Sequence, residues 1–308
     1  MEPTVIVSII ISVCAASTPL LLAAIGELVV ERSGVLNLGV EGMMIMGAVA
    51  GFAIAQSTGN PYIGALGALI AGAVFSLLFG FLVLTLVANQ VATGLALTIL
   101  GLGLSGMIGE SFVGQPGIKM TAIYIPYLTD IPVVGKLIFG QDALFYTSLA
   151  LVAGVAWFLF KTRAGLMLRS VGDSHTSAHA LGIPVIKIRY LAVMFGGACA
   201  GLAGAHLSLV QVPQWVEGMT AGKGWIALAL VVFASWRPGR ALIGAYLFGA
   251  VTLAQFHLQA QGVPIPAQFL SSLPYLATII VLVLIARNRR LTMINTPASL
   301  GRPFVPDR

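Results

Sequence analysis

Apolar runs recur along the whole chain, and most of them are long enough to cross a lipid bilayer as helices. About 20 helical residues, each rising about 1.5 Å, cross a hydrocarbon layer of about 30 Å. Nine runs are predicted to be membrane helices, at residues 3–30, 40–56, 61–87, 91–108, 143–160, 189–210, 225–236, 241–258 and 269–286. The run at 225–236 is too short to cross alone and is predicted to be a half-helix or to borrow residues from its flanks, which gives eight to ten spans.

The composition excludes a soluble globular protein. Hydrophobic residues make up 58% of the chain and charged residues only 8%, with a mean hydropathy of +0.99. A soluble protein of 308 residues needs far more polar surface than this. Short segments of alternating polarity, typical of membrane strands, are not found, because the runs are apolar on every face. The predicted fold class is therefore all-α, a polytopic transmembrane helical bundle.

The positions of the 16 Lys and Arg residues predict the orientation, because short cytoplasmic loops retain positive charge. Placing residues 161–187 in the cytoplasm puts thirteen of these side chains inside and leaves three outside, Lys119, Lys136 and Lys223. The N-terminus is then outside and the C-terminus is cytoplasmic. The net charge of +6 is explained by this topology and by contact with anionic membrane lipid, and it does not indicate nucleic acid binding.

A single transmembrane domain is predicted over residues 1–290, followed by a cytoplasmic tail at 291–308. The longest stretches outside the membrane are an external one at about 109–142 and a cytoplasmic loop at 161–188. Neither can bury a soluble core, so we expect no catalytic or nucleotide-binding domain and no cofactor or metal on this chain. Any energy source other than an ion gradient must come from a partner protein.

The cytoplasmic loop contains a polar stretch, VGDSHTSAHALGIPV, at residues 171–185. Asp173 or Ser174 can cap the N-terminus of a short helix, because their side-chain oxygens accept hydrogen bonds from free backbone N–H groups. Gly182, followed by Pro184, can end that helix. The stretch is therefore predicted to be a short helix on the cytoplasmic side.

The predicted loop helix has an apolar and a polar side. Ala178, Leu181 and Ile183 form a small apolar face that suits docking into a groove of another protein, and an ordinary solvated loop helix is the alternative. His175 and His179 lie beside this face at i and i+4, a spacing that could hold zinc. Because no third ligand lies nearby, a solvated, hydrogen-bonded pair is preferred to a metal site.

Two further motifs are weak. GMTAGKG at residues 218–224 resembles a phosphate-binding loop, but its spacing is one residue short and no Ser or Thr follows Lys223. Cys14 and Cys199 lie within predicted spans and are expected to be buried free thiols. These motifs therefore predict neither a nucleotide site nor a disulfide framework.

Polar side chains concentrate around the end of the first predicted span. Five lie within 15 residues: Glu27, Glu31, Arg32, Asn37 and Glu41. Intramembrane polar groups are candidates for a solute path, since their burial is costly without a partner. Asn37 and Glu41, four residues apart, can share one inward face of the second span. They are predicted either to contact solute or to lock a broken-helix junction.

Residues 162–205 resemble the cytoplasmic loop and following helix of the branched-chain amino acid and simple-sugar permease family of ABC importers. The matching residues are Arg163, Gly165, Arg169, Ala178, Leu181, Gly182 and Ile183. Ser170 stands where Ala is usual. Residues 26–51 resemble the subgroup associated with nucleoside uptake, and residues 221–249 resemble a later family motif around a Pro-Gly turn. The resemblance covers about residues 15–286.

The resemblance implies a type II ABC-importer-like permease in a bacterial plasma membrane, with ATP and Mg²⁺ bound by a separate cytoplasmic ATPase subunit. Its coupling element toward the ATPase is predicted to comprise Gly172, Asp173, Ser174, His175, Ala178, His179, Leu181, Gly182 and Ile183. Two other partners are implied: a second permease, favoured as a related chain of different sequence, and an extracytoplasmic solute-binding protein. The chain itself is then not an enzyme.

A nucleoside is the favoured solute, with simple sugars and branched-chain amino acids as alternatives. A nucleoside is neutral and forms hydrogen bonds on many sides, so amides such as Gln211 and Gln255, imidazoles and stacking aromatic rings suit it. Besides Asn37 and Glu41, the candidate residues of the solute path are Asn89, Thr93, Trp225, Phe256 and His257.

Two functions of other classes remain open. An ion-coupled secondary transporter would use Glu41 or Glu27 as a proton carrier, and an intramembrane enzyme would use the two histidines of the loop. The tetrapeptide VEGM, at 40–43 inside and 216–219 outside in the predicted topology, indicates an inverted repeat. Glycines spaced four apart, at 47 and 51 and at 197 and 201, predict close helix packing.

Overall fold

The computed structural model describes residues 3–131, 134–260, 266–286 and 295–305. The α-helices in these ranges are α1 Pro3–Arg32, α2 Val40–Thr58, α3 Pro61–Gly80, α4 Gln90–Gly109, α5 Ala143–Lys161, α6 Arg163–Asp173, α7 His175–Ala180, α8 Val185–His206, α9 Lys223–Phe233, α10 Pro238–Ala260 and α11 Ala267–Ala286. Within the described ranges, β-type pairing is limited to two isolated bridges between residues 113–116 and 214–215. The predicted all-helical class is confirmed.

Seven helices of the described part are long and apolar enough to cross a membrane: α1 to α5, α8 and α10. They correspond to seven of the nine predicted runs. The run at 225–236 forms α9, whose 11 residues are about 16 Å long, half of a bilayer, so the half-helix prediction is confirmed. The run at 269–286 lies within α11, a helix of 20 residues.

Glycines allow the central helices to approach closely. α8 is the most deeply buried of the seven long helices and packs against α1, α2 and α3. A Cβ atom on Gly47 of α2 would overlap the backbone of Gly201 in α8, and one on Gly72 of α3 would overlap the carbonyl of Gly197. The close packing predicted at these glycines is therefore confirmed, and it places backbone against backbone in the core.

α2 and α9 begin at one point and run to opposite ends of the bundle. Glu41, in the first turn of α2, contacts the residues that begin α9. The far end of α2 reaches the external segment, where Gln56 Nε2 donates to the Pro116 carbonyl at 2.7 Å. Beyond the far end of α9, the Trp236 carbonyl accepts a hydrogen bond from Arg32 Nη2 at 3.1 Å, where α1 ends. The first VEGM copy thus meets the residues that follow the second, instead of lying across the membrane from them.

Candidate functional site

A cavity of about 710 Å³ lies among the first half of α1 and parts of α9, α10 and α11. Segments 119–122, 140–142 and 210–212 complete its wall. Its polar and charged side chains are Ser12, Lys119, Gln141, Asp142, Gln211, Lys223, Thr252, Gln255 and Tyr275. Pockets of about 300–1,000 Å³ accommodate small organic molecules. The bundle therefore contains a chamber of suitable size for a small polar solute.

Three residues favoured by sequence reasoning line this cavity: Gln211, Gln255 and Phe256. The Gln211 amide is held in place by donating from Nε2 to the Ala15 carbonyl at 2.5 Å. The Gln255 side chain is nearly buried, whereas 58% of Phe256 is exposed. Two amides and an aromatic ring therefore line the same cavity.

Sequence reasoning missed Lys223 and Tyr275 as cavity residues. The sequence predicts Lys223 in an outer loop. A short helix that starts inside the bundle has no hydrophobic periodicity before its first residue, so this signal does not reveal where the helix begins. The position of Lys223 at the start of a half-helix is the feature that could have identified it. With Lys119, it is one of two lysines that line the cavity.

Four other predicted solute-path residues lie elsewhere. Asn89 caps α4 by accepting from the Ala92 N–H at 3.0 Å, and Thr93 is half-buried in the first turn of that helix. Trp225 and His257 are exposed, and neither lines the cavity. Contact of these four side chains with solute stays a prediction.

The carboxylate on the cavity wall is engaged inside the bundle. Asp142 caps α5 by accepting from the Phe145 N–H at 3.0 Å. Its Oδ2 lies 3.6 Å from Nε2 of His206, an imidazole with no exposed surface in α8. The start of α5 and the end of α8 therefore lie close together beside the cavity.

Glu41 binds the N-terminal end of α9. Its Oε1 accepts from Thr220 Oγ1 at 2.6 Å and from the Gly222 N–H at 2.8 Å, and its Oε2 accepts from the Gly224 N–H at 2.6 Å. Free N–H groups at a helix N-terminus carry partial positive charge and favour a carboxylate. The GMTAGKG loop, with Gly222 at φ +79°, therefore binds an anion of its own chain.

Asn37 stabilises the turn between α1 and α2. Its side-chain Oδ1 accepts from the Gly39 N–H at 2.9 Å, and its backbone N–H donates to Glu27 Oε1 at 3.2 Å. Neither Asn37 nor Glu41 lies on the cavity wall. Their contacts fit the broken-helix junction, the second of the two predicted roles, and their contact with solute stays a prediction.

Replacing Glu41 with alanine is expected to lower the melting temperature of the purified chain. The Thr220 hydroxyl and the N–H groups of Gly222 and Gly224 would lose their acceptor. Each unpaired buried donor costs about 1–3 kcal/mol, so we expect a loss of about 3 kcal/mol or more. Thermal unfolding in detergent measures it, with Glu41→Gln, which keeps one carbonyl oxygen, as the milder comparison. A wild-type melting temperature for Glu41→Ala would contradict the junction.

The loop at 161–188 contains α6 and α7. Ser174 caps α7 by accepting from the Ser177 N–H at 3.3 Å. Gly182, at φ +78°, ends the helix by donating its N–H to the His179 carbonyl at 2.8 Å. The predicted cap and stop are therefore confirmed, and α7 forms the turn between two longer helices.

Ala178 and Leu181 do not form one apolar face, which corrects the prediction. Ala178 is only 2% exposed and packs in a cluster with Val171 and Val185, whereas Leu181 is 80% exposed. The reason is that α7 ends one residue before Leu181, so this side chain no longer follows the helical face. Ile183 lies half-buried against the same cluster. Leu181 is thus the exposed apolar side chain of the loop.

The two histidines pack against Phe304, a contact that the sequence does not predict. Their ring centroids lie 5.2 Å (His175) and 5.3 Å (His179) from that of Phe304, in edge-to-face geometry. His175 Nδ1 lies 3.3 Å from Arg189 Nη2, and it must accept because a guanidinium only donates. Burial, and then the charges of Arg189 and Arg302, lower the pKa of His175. Its imidazole is therefore neutral near pH 7.

Comparison with protein families identifies the chain. Residues 9–286 match the family described as the permease component of the branched-chain amino acid transport system. The chain belongs to this permease family. Its members are the membrane components of transporters, so the permease is not a catalytic subunit.

The permease is similar over most of its length to ABC transporter proteins with two kinds of named solute. It is 45% identical over 291 residues to a predicted glucose ABC transporter permease protein of Haloferax volcanii, covering 87% of this chain and 88% of that protein. It is 36% identical to a nucleoside ABC transporter permease protein of Lactococcus lactis, covering 87% and 89%. It is also 36% identical to a guanosine ABC transporter permease protein of Bacillus subtilis, covering 92% and 93%.

The fold of the permease is also found in a solved structure. That structure shows an inward-facing conformation of a transporter assigned to the metal-chelate ABC type, with a TM-score of 0.52, 17% sequence identity and coverage of 90% of this chain and 84% of that chain. At this identity the likeness concerns the fold. The multi-pass helical bundle is therefore that of an ABC transporter permease.

Proposed function

We propose that the chain is the permease subunit of an ABC importer that carries a nucleoside across the plasma membrane. The observation that carries this proposal is the cavity of about 710 Å³, which Gln211, Gln255 and Phe256 line. The ring of Phe256 offers a face for stacking a base. The amides can donate to and accept from base edges and ribose hydroxyls.

The relatives support a nucleoside, and one of them favours a second candidate. Two relatives at 36% identity are named for nucleosides or guanosine. The relative at 45% identity is named for glucose, which makes a simple sugar the alternative solute. A sugar also stacks on aromatic rings and forms hydrogen bonds with amides. The two solutes therefore differ in the strength of stacking on Phe256, which a planar base gains in full.

The loop around α7 is proposed as the contact with a cytoplasmic ATPase subunit, which would bind ATP and Mg²⁺. Leu181 is 80% exposed there, directly after a helix that Ala178 anchors to the bundle. An exposed apolar side chain on a fixed support suits a groove in a partner. The proposed assembly also contains a second, related permease and an extracytoplasmic solute-binding protein.

The charges support the proposed orientation, with the N-terminus outside and the C-terminus in the cytoplasm. Arg32 and Arg189 lie at the end of the bundle that contains α7, where they donate to backbone carbonyls of residues 295 and 302. The cavity lies toward the other end, around the first half of α1. Because basic residues favour the cytoplasmic side, the cavity is then closer to the outer face.

The proposal is tested by guanosine uptake into liposomes that contain the assembled transporter and its solute-binding protein. Phe256→Ala is expected to lower uptake about tenfold, because stacking a base on an aromatic ring is worth about 1–3 kcal/mol. Phe269→Ala is the matched control, since this aromatic side chain is 69% exposed and does not line the cavity. Uptake of glucose without uptake of guanosine would overturn the nucleoside assignment in favour of the sugar.

A further inference from the structure

The C-terminal segment, residues 295–305, is bound to the loop that contains α7. The Ser299 N–H donates to the Gly172 carbonyl at 2.8 Å, and Ser299 Oγ donates to the Asp173 carbonyl at 3.3 Å. The Gly301 N–H donates to the Gly34 carbonyl at 3.1 Å. The segment thus connects the end of α6 with the turn that follows α1.

Arg189 joins the same three parts of the chain. It is 1% exposed, and its guanidinium donates to the carbonyls of Ser33 at 3.1 Å and Arg302 at 3.3 Å as well as to His175. A buried guanidinium is retained only where its donors are satisfied. The bonds therefore fix the C-terminal segment relative to α7 and α8.

Phe304 completes the apolar cluster beneath α7. It is 9% exposed and packs with Val171, Ala178 and Val185, and the rings of both loop histidines flank it. A helix of six residues cannot hold its own conformation in water, since isolated helices shorter than about 12–15 residues are marginal. The position of α7 consequently depends on what packs against it, and Phe304 is one of its walls.

We propose that Phe304 is a positioning residue for coupling: the C-terminal segment holds α7 in place so that movement of the ATPase is transmitted to the bundle. This inference rests on the proposed function of α7 as the ATPase contact. If α7 tilted or unfolded when the ATPase moved, it would not transmit that movement to the bundle. The packing of Phe304 against α7 therefore matters as much as the exposed Leu181.

The test compares Phe304→Ala with Val305→Ala, whose parent side chain is adjacent and 64% exposed. Hydrogen exchange of residues 171–185 is measured on the purified full-length chain, without the ATPase. ATP hydrolysed per guanosine transported is measured on the assembled transporter in liposomes. Phe304→Ala is expected to speed exchange at least tenfold and to raise the ATP-to-guanosine ratio at least fivefold, while Val305→Ala matches wild type.

Rescue separates positioning from general damage. Phe304→Leu restores apolar volume and is expected to return both readouts most of the way to wild type. If Phe304→Ala does not fold, Phe304→Val is expected to shift both readouts in the same direction by a smaller factor. Unchanged exchange, or faster exchange with an unchanged ATP-to-guanosine ratio, would overturn the proposal. Wild-type guanosine uptake in Leu181→Asp would show instead that α7 is not the ATPase contact, and the inference would fall with the proposed function.

Discussion

Leucine in place of Gly201 is expected to prevent the bundle from forming. A Cβ atom at this position would overlap the Ala68 carbonyl of α3, and Gly47 of α2 approaches from another side. Overpacking a core that can relax costs about 1–3 kcal/mol. Here the neighbours are backbone atoms that no rotamer change can move, so the loss should exceed that range. The measurement is the yield of monodisperse protein in mild detergent and its melting temperature.

Gly103 supplies the matched control for this substitution. It lies in the middle of α4, and a Cβ atom there meets nothing within 4 Å. Gly103→Leu adds the same apolar volume to another membrane helix, so its yield and melting temperature are expected to match the wild type. A Gly201→Leu variant as stable as Gly103→Leu would refute the backbone contact among α2, α3 and α8.

Aspartate in place of Leu181 is expected to abolish ATP-driven uptake without changing the stability of the chain. The side chain is 80% exposed, so its replacement disturbs no packing in the isolated chain. A charge in an apolar groove of the ATPase would be desolvated without a partner, which is costly. We expect a fall in guanosine uptake of at least tenfold, measured in liposomes containing the assembled transporter, with an unchanged melting temperature for the isolated chain.

Two substitutions distinguish loss of docking to the ATPase from loss of the packing that holds α7 in position. Ala178→Asp puts a charge in a nearly fully buried cluster, and Gly182→Pro requires φ near −65° where the chain has +78°. Both should stop uptake, as Leu181→Asp does, and both should also speed hydrogen exchange in the loop while leaving membrane insertion intact. Normal uptake in all three variants would rule out α7 as the contact with the ATPase.

The helices were predictable from sequence because their signal is local. The run predicted at 40–56 is α2, Val40–Thr58, and Ser174 caps α7 through neighbours three residues away. The contacts that assemble the site join distant positions, such as Glu41 with Gly224, 183 residues apart. Hydrophobic periodicity contains no information about such pairs, since they depend on how the helices pack.

The same limit applied to the solute path and to the tail. Side-chain chemistry alone selected Gln255, Phe256 and His257 together, as an amide, an aromatic ring and an imidazole. Successive residues on a helix point in different directions, and only the first two line the cavity. The tail at 291–308 was predicted only as cytoplasmic. Nothing local to its sequence indicates that Phe304 packs between two histidines more than 120 positions earlier.

The half-helix α9 connects the cavity wall with the end of the bundle that contains α7. At one end Lys223 lines the cavity. Just past the other end, the Trp236 carbonyl accepts from Arg32, and the Trp236 indole N–H donates to Glu31 Oε2 at 2.6 Å. Arg32 in turn lies against Gly172 at the start of the proposed ATPase contact. A helix about 16 Å long therefore joins the two sites. We expect that a displacement of the loop by the ATPase would move the cavity wall at Lys223.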